Sequence, residues 1–415
     1  MRAPSLRLMV VALALCAALA GCGKALSPPA VEHGAGPVAA VGAHGAGGLS
    51  TKNTTRLGGS DSTIDAAAVA LAVYPGPTAT TRPQAVVFVD SADWPAALAA
   101  SVLAGAPLHA PLLYSDGSTL PEASGQALRA MAPTGTGALG PTAAGAPGRA
   151  QVIQIGATAT PSGYLTRSIT GKDAAALAVA IERVSSGLRG RTPSRVIVTA
   201  ADGTPALTMP AAGLSAQTGA PILFVERSEI PPSTTAELRR LGKISIYLVG
   251  PSTVVSDNVA RELGRYGTVT RIAGATPATN AIAVARFTDG SFGWGVVEPG
   301  HGLVFANVSR PLDGPAAAPL SAIGDYGPLL LLESPHELPS TLSGYLSDLQ
   351  PGSPPSGPVH GVYNHGWLIG DESAISATTQ AQLDSILEIS SRPATEPAVA
   401  APTTPSSEPT QTTGP

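Results

Sequence analysis

Cysteine is almost missing from this sequence: its 415 residues include two, Cys16 and Cys22, both near the N-terminus. A disulfide framework is therefore excluded as a source of stability, and the paired Cys-x-x-Cys spacing of structural zinc modules does not occur. Charge is sparse as well. Asp, Glu, Lys and Arg make up 13% of the chain, with 28 acidic groups against 24 basic ones, and no basic block interrupts it. Proteins that hold a phosphate backbone cluster Lys and Arg, so nucleic acid is not an expected partner. Aromatic residues are rare at 4%. Trp94, Trp294 and Trp367 are candidates for stacking on sugars, but three tryptophans in so long a chain are more often core or loop anchors.

Catalytic signatures are missing too. There is no G-x-S-x-G elbow and no H-E-x-x-H. The stretch "GTGALG" (Gly135–Gly140) satisfies a dinucleotide fingerprint by spelling alone, because Pro133 precedes it and "PTAAGAPG" follows, where a strand and a helix are required. His301, His360 and His365 lie next to glycines, with Asp371 a few residues on, and read as turn residues rather than metal ligands. Carboxylates such as Asp90 and Asp93 fall at a strand end, and nothing marks them as a catalytic couple. The expectation is a non-enzyme without metal or cofactor.

What the chain has in quantity is small and apolar residues: 44% are hydrophobic, with 47 Gly and 40 Pro. At the N-terminus Arg2 and Arg7 precede the apolar run "LMVVALALCAALA", too short and Ala-rich for a comfortable membrane span, which reads as a signal peptide over residues 1–21. The following "LAGC" resembles a bacterial lipobox, which implies cleavage after Gly21 and lipidation of Cys22. Loss of Arg2 and Arg7 takes the formal charge from −4 to −6. Residues 22–54, rich in Gly, Ala and Pro, read as a flexible linker, and residues 392–415 as a disordered Pro/Thr-rich tail.

Between those ends the chain repeats itself. "APLLYSDGSTLP" at Ala110 returns as "APILFVERSEIP" at Ala220 and "GPLLLLESPHELP" at Gly327, spaced by 110 and 107 residues. That period exceeds a solenoid unit and matches a small domain. The middle unit reads most clearly. Asp173 is placed to cap a helix through "AAALAVAIERVSS", "RVIVTA" is a buried-type strand, and "PALTMPAAGLSAQTGA" is a small-residue helix that Pro210 should kink or break. "PILFV" is the second strand, "PPSTTAELRRLG" a helix with Ser233 as cap, "ISIYLVG" the third strand and "STVVSDNVARELGRYG" the last helix. Buried-type strands alternating with helices predict parallel sheets with right-handed crossovers. The other two units follow the same order, giving repeats over 55–166, 167–268 and 269–391.

Each unit opens on a variant of one phrase: "RLGGSDSTIDAA" at Arg56, "SITGKDAAALA" at Ser168 and "RIAGATPATNAIA" at Arg271. With "APILF…IP" and "YLVGPSTVVSDNVAREL", these resemble the cell wall binding repeat 2 family, whose members carry three tandem repeats on Gram-positive surface proteins. The resemblance covers the chain from about residue 55 to 390. It implies an α/β fold of three Rossmann-like or flavodoxin-like subdomains with parallel sheets in a pseudo-threefold arrangement. It also implies non-catalytic binding of an anionic cell wall polymer in grooves where subdomains meet. Family units begin Arg-(Ile/Leu)-x-Gly-x-Asp-Arg-(Tyr/Phe)-x-Thr-Ala. Arg56, Asp61, Asp173 and Arg271 match, while Ser168 and Thr276 replace the Arg and the Asp. The family's Asp in "DALAAAPLA" matches Asp313, with Ala96 and Leu207 at the corresponding places.

The resemblance thus points to Arg56, Asp61, Asp173, Arg271 and Asp313 as polymer-binding residues. The expected protein is a lipid-anchored lipoprotein on the extracellular face of the bacterial cytoplasmic membrane, associated with the wall. Its partners would be anionic wall polymer or peptidoglycan, the membrane, and a surface protein such as an autolysin. Two rival expectations stand beside it. One is a solute-binding lipoprotein of a transporter, which three equal units argue against. The other is a protein-interaction scaffold that has lost polymer binding.

Overall fold

The computed structural model of the chain describes residues 50–139, 149–322, 326–353 and 362–393. The expected signal peptide, the expected lipidation site Cys22, nearly all of the linker, His360 and all but the first two residues of the C-terminal tail lie outside them.

In chain order the first unit contains strand β1 (Thr54–Leu57), helix α1 (Ser62–Val73), β2 (Val86–Asp90), α2 (Trp94–Ala100) with a 3-10 turn Ser101–Ala104, β3 (Leu112–Ser115), α3 (Glu122–Met131) and β4 (Val152–Ile155). The second contains β5 (Thr166–Ile169), α4 (Ala174–Arg189), β6 (Arg195–Ala200), α5 (Pro210–Thr218), β7 (Ile222–Val225), α6 (Pro232–Leu241), β8 (Ile244–Val249) and α7 (Asp257–Leu263). The third contains β9 (Gly267–Ile272), α8 (Pro277–Arg286), the short pair β10 (Thr288–Asp289) and β11 (Phe292–Gly293), then β12 (Gly302–Asn307) and α9 (Asp313–Ala322). It continues with β13 (Tyr326–Leu332), α10 (Ser340–Asp348), β14 (Gly352–Ser353), β15 (His365–Ile369), α11 (Ala377–Leu387) and β16 (Ser390–Pro393).

Three four-stranded sheets result, in the orders β3-β2-β4-β5, β7-β6-β8-β9 and β13-β12-β15-β1. Every pairing in them is parallel, as the buried runs predict. With the strand borrowed from another unit counted last, each order is 2-1-3-4, the start of the flavodoxin-like order. The strand that opens a repeat does not join that repeat's own sheet. β5 lies on β4 of the first unit and β9 on β8 of the second. β1, from the start of the chain, completes the third sheet beside β15, with Arg56 opposite Leu368. Each unit thus lends its first strand to the one before, and the loan from first to third closes the ring.

The small-residue segments after β2, β6 and β12 explain the Ala and Gly content. α2 with its 3-10 turn, α5 and α9 touch one another pairwise around the pseudo-threefold axis. Ala97, Ala99 and Ala100, Ala211, Ala212 and Ala216, and Ala316 and Ala318 are buried in one common core. Approach is close enough that a Cβ on Gly105 would stand 2.1 Å from the carbonyl oxygen of Ala216. Away from the axis, β-branched residues and leucines fill the cores of the separate sheets. Leu330, Leu331 and Leu332 are fully buried, each contributing about 2 kcal/mol of apolar transfer relative to exposure.

Local expectations are met with one correction. Asp173 caps α4, its Oδ1 accepting from the Ala176 N–H at 2.7 Å. Of the kink or break expected at Pro210 the structure shows the break: Pro205–Leu207 forms a separate 3-10 turn, and Pro210 is the first residue of α5, where its missing N–H costs nothing. Ser233 lies inside α6, whose N-cap is Pro231; Pro121 and Pro339 take the same place before α3 and α10. The Leu/Ile-Pro pair in all three copies is the helix start.

Candidate functional site

A 2-1-3-4 parallel order has its topological switch between the first and third strands, and ligands of open α/β sheets bind beyond the strand C-termini at that switch. The three switch points here fall at seams between units, because the fourth strand and the helix after it come from the next unit.

The opening phrase builds each seam. Gly156, Gly250 and Gly370, all at positive φ, end the third strands and donate to the carbonyl oxygens of Ile169, Ile272 and Leu57 at 2.8–2.9 Å. Over two of these turns the opening arginine acts as a staple. Arg56, 5% exposed, donates to the Gly370 and Ile375 carbonyls at 2.9 and 2.7 Å and to Gln380. Arg271 does the same to Gly250 and Val255, both at 2.9 Å, and pairs with Asp257 at 3.1 Å. At the first turn, where Ser168 replaces the arginine, the staple comes from β4. The Gln154 amide donates to Ala159 O at 3.0 Å and to Thr160, while Ser168 donates to Gln154 Oε1 at 3.1 Å.

The seam between the third and first units is filled. Arg310 lies three residues beyond β12. Its Nη1 donates to Asp65 Oδ2 at 3.1 Å and to Gly59 O at 2.8 Å, and its Nη2 to Asp371 at 3.0 Å and Ser373 at 2.6 Å. Asp65 also accepts the Gly59 N–H at 2.7 Å, and Ser62 donates to Asp313 Oδ1 at 2.6 Å. Asp65 and Asp313 are both fully buried. Burial pushes Asp65 up to about 6, against the pull of Gly59 and Arg310, and burial beside the Asp65 charge pushes Asp313 well above the usual carboxylate range. Asp65 has the guanidinium and a backbone N–H, so it holds the charge. Asp313 Oδ2 has no hydrogen-bond partner, and burial beside the Asp65 charge makes Asp313 the more readily protonated of the two.

The seam between the second and third units is open. Three residues beyond β6 stands Gly203, so this seam has no counterpart of the Arg310 side chain. Asn280 replaces Asp65: its Oδ1 accepts from Gly274 N at 2.9 Å and its amide donates to Leu207 O at 2.7 Å. Beside the seam, on the second unit, lies a groove of about 350 Å³ lined by Asp202, Gly203, Thr204, Leu207, Arg227 and Thr253 together with Val254, all second-unit residues. Thr253 corresponds to Ser373, the residue that Arg310 reaches in the filled seam. Asp202 accepts from the Arg227 backbone N–H at 3.2 Å. Slight desolvation, with Glu229 and Asp202 nearby, raises the exposed Glu226, so this rim is rich in carboxylate oxygens. The first-to-second seam has Leu177 at the Asp65 position, and Ala96 faces it from the Asp313 position; both are buried and apolar.

Of the residues that the sequence singled out, Asp61 and Asp173 are N-caps, and Thr276 caps the third copy through Thr279 N. Arg56 and Arg271 are staples, and Asp313 lies in the filled seam. Sequence reading missed Arg310, Asp65 and Gly203. The alternation Asp65, Leu177, Asn280 was visible in the aligned opening phrases. Arg310 and Gly203 lie in turns that no repeated phrase covers. Among the described residues no group of three His, Cys, Asp or Glu side chains could hold a metal ion.

Residues 168–260 match the model of the family Cell wall binding domain 2 (CWB2), so the resemblance read in the repeated phrases is carried by the unit that holds the open groove. Two solved structures are similar in fold. Cwp6 from Clostridium difficile aligns at TM-score 0.62 with 18% identity, over 82% of this chain and 49% of that one. Cwp8 from the same organism aligns at TM-score 0.60 with 17% identity, over 81% of this chain and 52% of that one. The present chain therefore spans about half the length of those structures. No curated protein matches the sequence.

Proposed function

We propose that this protein is a non-catalytic, cell-wall-binding surface lipoprotein that grips a wall polymer at the seam between its second and third units. The observation that carries the reading is a coincidence of place. The segment matching a cell wall binding domain model contains β6 and β8, and the open groove lies at the switch point between them. Threonine hydroxyls, a carboxylate and the Arg227 guanidinium line that groove, a donor and acceptor set suited to sugar hydroxyls and to an acidic polymer's substituents. A lipid on Cys22 would hold the protein at the extracellular face of the cytoplasmic membrane, with the wall within reach, and a surface protein such as an autolysin would be a partner there.

In this reading these residues hold the framework rather than touch the polymer: Arg271 shapes the turn beside the groove, Arg56, Asp61 and Asp173 shape the equivalent turns and helix starts of the other seams, and Asp313 closes the ring. Sedimentation of the full chain with isolated walls, before and after acid extraction of secondary polymers, tests the reading. Binding that is lost on extraction supports it, and failure to sediment with either preparation removes it.

One observation favours a second reading. Arg310 fills one seam, and Leu177 with Ala96 lines another with apolar groups. A scaffold that has given up polymer binding would show the same closures. Cross-linking in cells that captures a protein partner and no glycan would favour it.

A further inference from the structure

At the opposite end of the second sheet from the groove, a cleft of about 70 Å³ lies where α4 and α5 end and β6 and β7 begin. Its wall carries Arg189, Arg191 and Arg195, with Thr192 and Ser194 between them and no Asp or Glu. Among the described residues none of the three arginines is in an ion pair. Arg189 donates to the carbonyl oxygens of Gly219 and, at 2.9 Å, Ala106, which uses two of its five N–H groups. Arg195 donates to Ser291 at 2.9 Å and stands 6.0 Å from the Phe292 ring centre. Asp289, which influences the same Tyr247 hydroxyl as Arg195, is hydrogen-bonded to that hydroxyl at 2.7 Å. Arg191 is exposed.

We propose that this cleft is a site for one phosphate-sized oxyanion, bridged by Arg189, Arg191 and Arg195. Two helix C-termini face it, each equivalent to about half a negative charge, and three full positive charges outweigh them. A volume of about 70 Å³ admits a single oxyanion. Burial, and then the Arg191 charge, lower Arg189 from its ordinary value. A bound anion relieves that crowding, and planar guanidinium forks match its oxygens. The chain is acidic overall, so a cluster of unpaired arginines is against its composition. The site does not depend on the wall-binding reading, because it lies at the other end of the strands.

The test is calorimetric titration of the full chain with inorganic phosphate at low ionic strength, and then with a glycerol phosphate polymer. Saturable binding that weakens with added salt is expected. R191Q should weaken it at least about tenfold, the worth of one charge-assisted contact. R191Q removes an exposed side chain, so its melting temperature should match the parent and exclude misfolding; R195Q provides the second arm. Polymer binding tighter than phosphate assigns the source to a polymer substituent, and equal affinities assign it to free phosphate; either keeps the site. Absence of saturable binding, or binding unmoved in both variants, overturns it.

Discussion

Nη1 of Arg310 stands 3.1 Å from Oδ2 of Asp65, joining side chains 245 positions apart. That contact closes the ring of three units, because Asp65 follows the strand that the first unit lends to the third sheet. It sits beside a second buried carboxylate, Asp313, and the one guanidinium also faces Asp371, so it cannot offset a charge on both buried acids. The seam is therefore stable with a single proton shared between the two acids.

A pH dependence follows. Both carboxyls have folded-state values raised above their unfolded ones, so their contribution is fully present below about pH 3.8 and is lost as pH rises through about 6 for Asp65 and further for Asp313. The melting temperature should fall as pH rises across that range. Asp313→Asn keeps a donor toward Asp65 and removes the acid, so its melting temperature should vary less and should exceed the parent's on the alkaline side. Parallel curves for the two proteins would contradict the shared proton.

Arg56 and Arg271 occupy matching places with different burial. Truncating Arg56 leaves two buried carbonyls and Gln380 without their donor, which costs on the order of 3 kcal/mol. Arg271→Ala, with a side chain 23% exposed to water, should cost less. Denaturant unfolding of both variants checks the order, and equal losses would show that the two staples do not differ as their burial says.

The axis makes its own demand. Gly105→Ala places a methyl 2.1 Å from a backbone oxygen that has no room to move, and overpacking of this kind costs about 1–3 kcal/mol. Gly344→Ala, where nothing lies within 4 Å of the added atom, is the control and should be neutral or slightly stabilising, since alanine is the better helix former. Thermal melts of the pair should separate clearly.

Much of this was legible beforehand. The repeated phrases gave the strands, the Pro-led helices and the Asp173 cap, because those depend on local pattern. The family resemblance supplied the three α/β subdomains. Strand lending was not legible: a phrase that opens a unit looks the same whether its strand pairs forward or backward, and only the sheet shows β1 against β15. The difference between seams was hidden for another reason. Arg310 and Gly203 stand in turns with no hydrophobic period, and a glycine there leaves no mark until its counterpart's side chain is seen filling the same space. The staple at the first turn escaped because Gln154 performs it from a different strand than Arg56 and Arg271 do.

The most direct test of the groove is to fill it as Arg310 fills its seam. Gly203 is not among the positive-φ glycines, and a Cβ there meets its nearest neighbours at 3.6 Å, so the backbone accepts a side chain such as that of Gly203→Arg. Co-sedimentation of the full-length parent and this variant with the same isolated walls is the measurement. Wall binding by the parent that falls at least about tenfold in the variant, despite the added positive charge and at unchanged melting temperature, is the expected result. Equal binding by the two proteins would mean that the open seam is not where the wall is held.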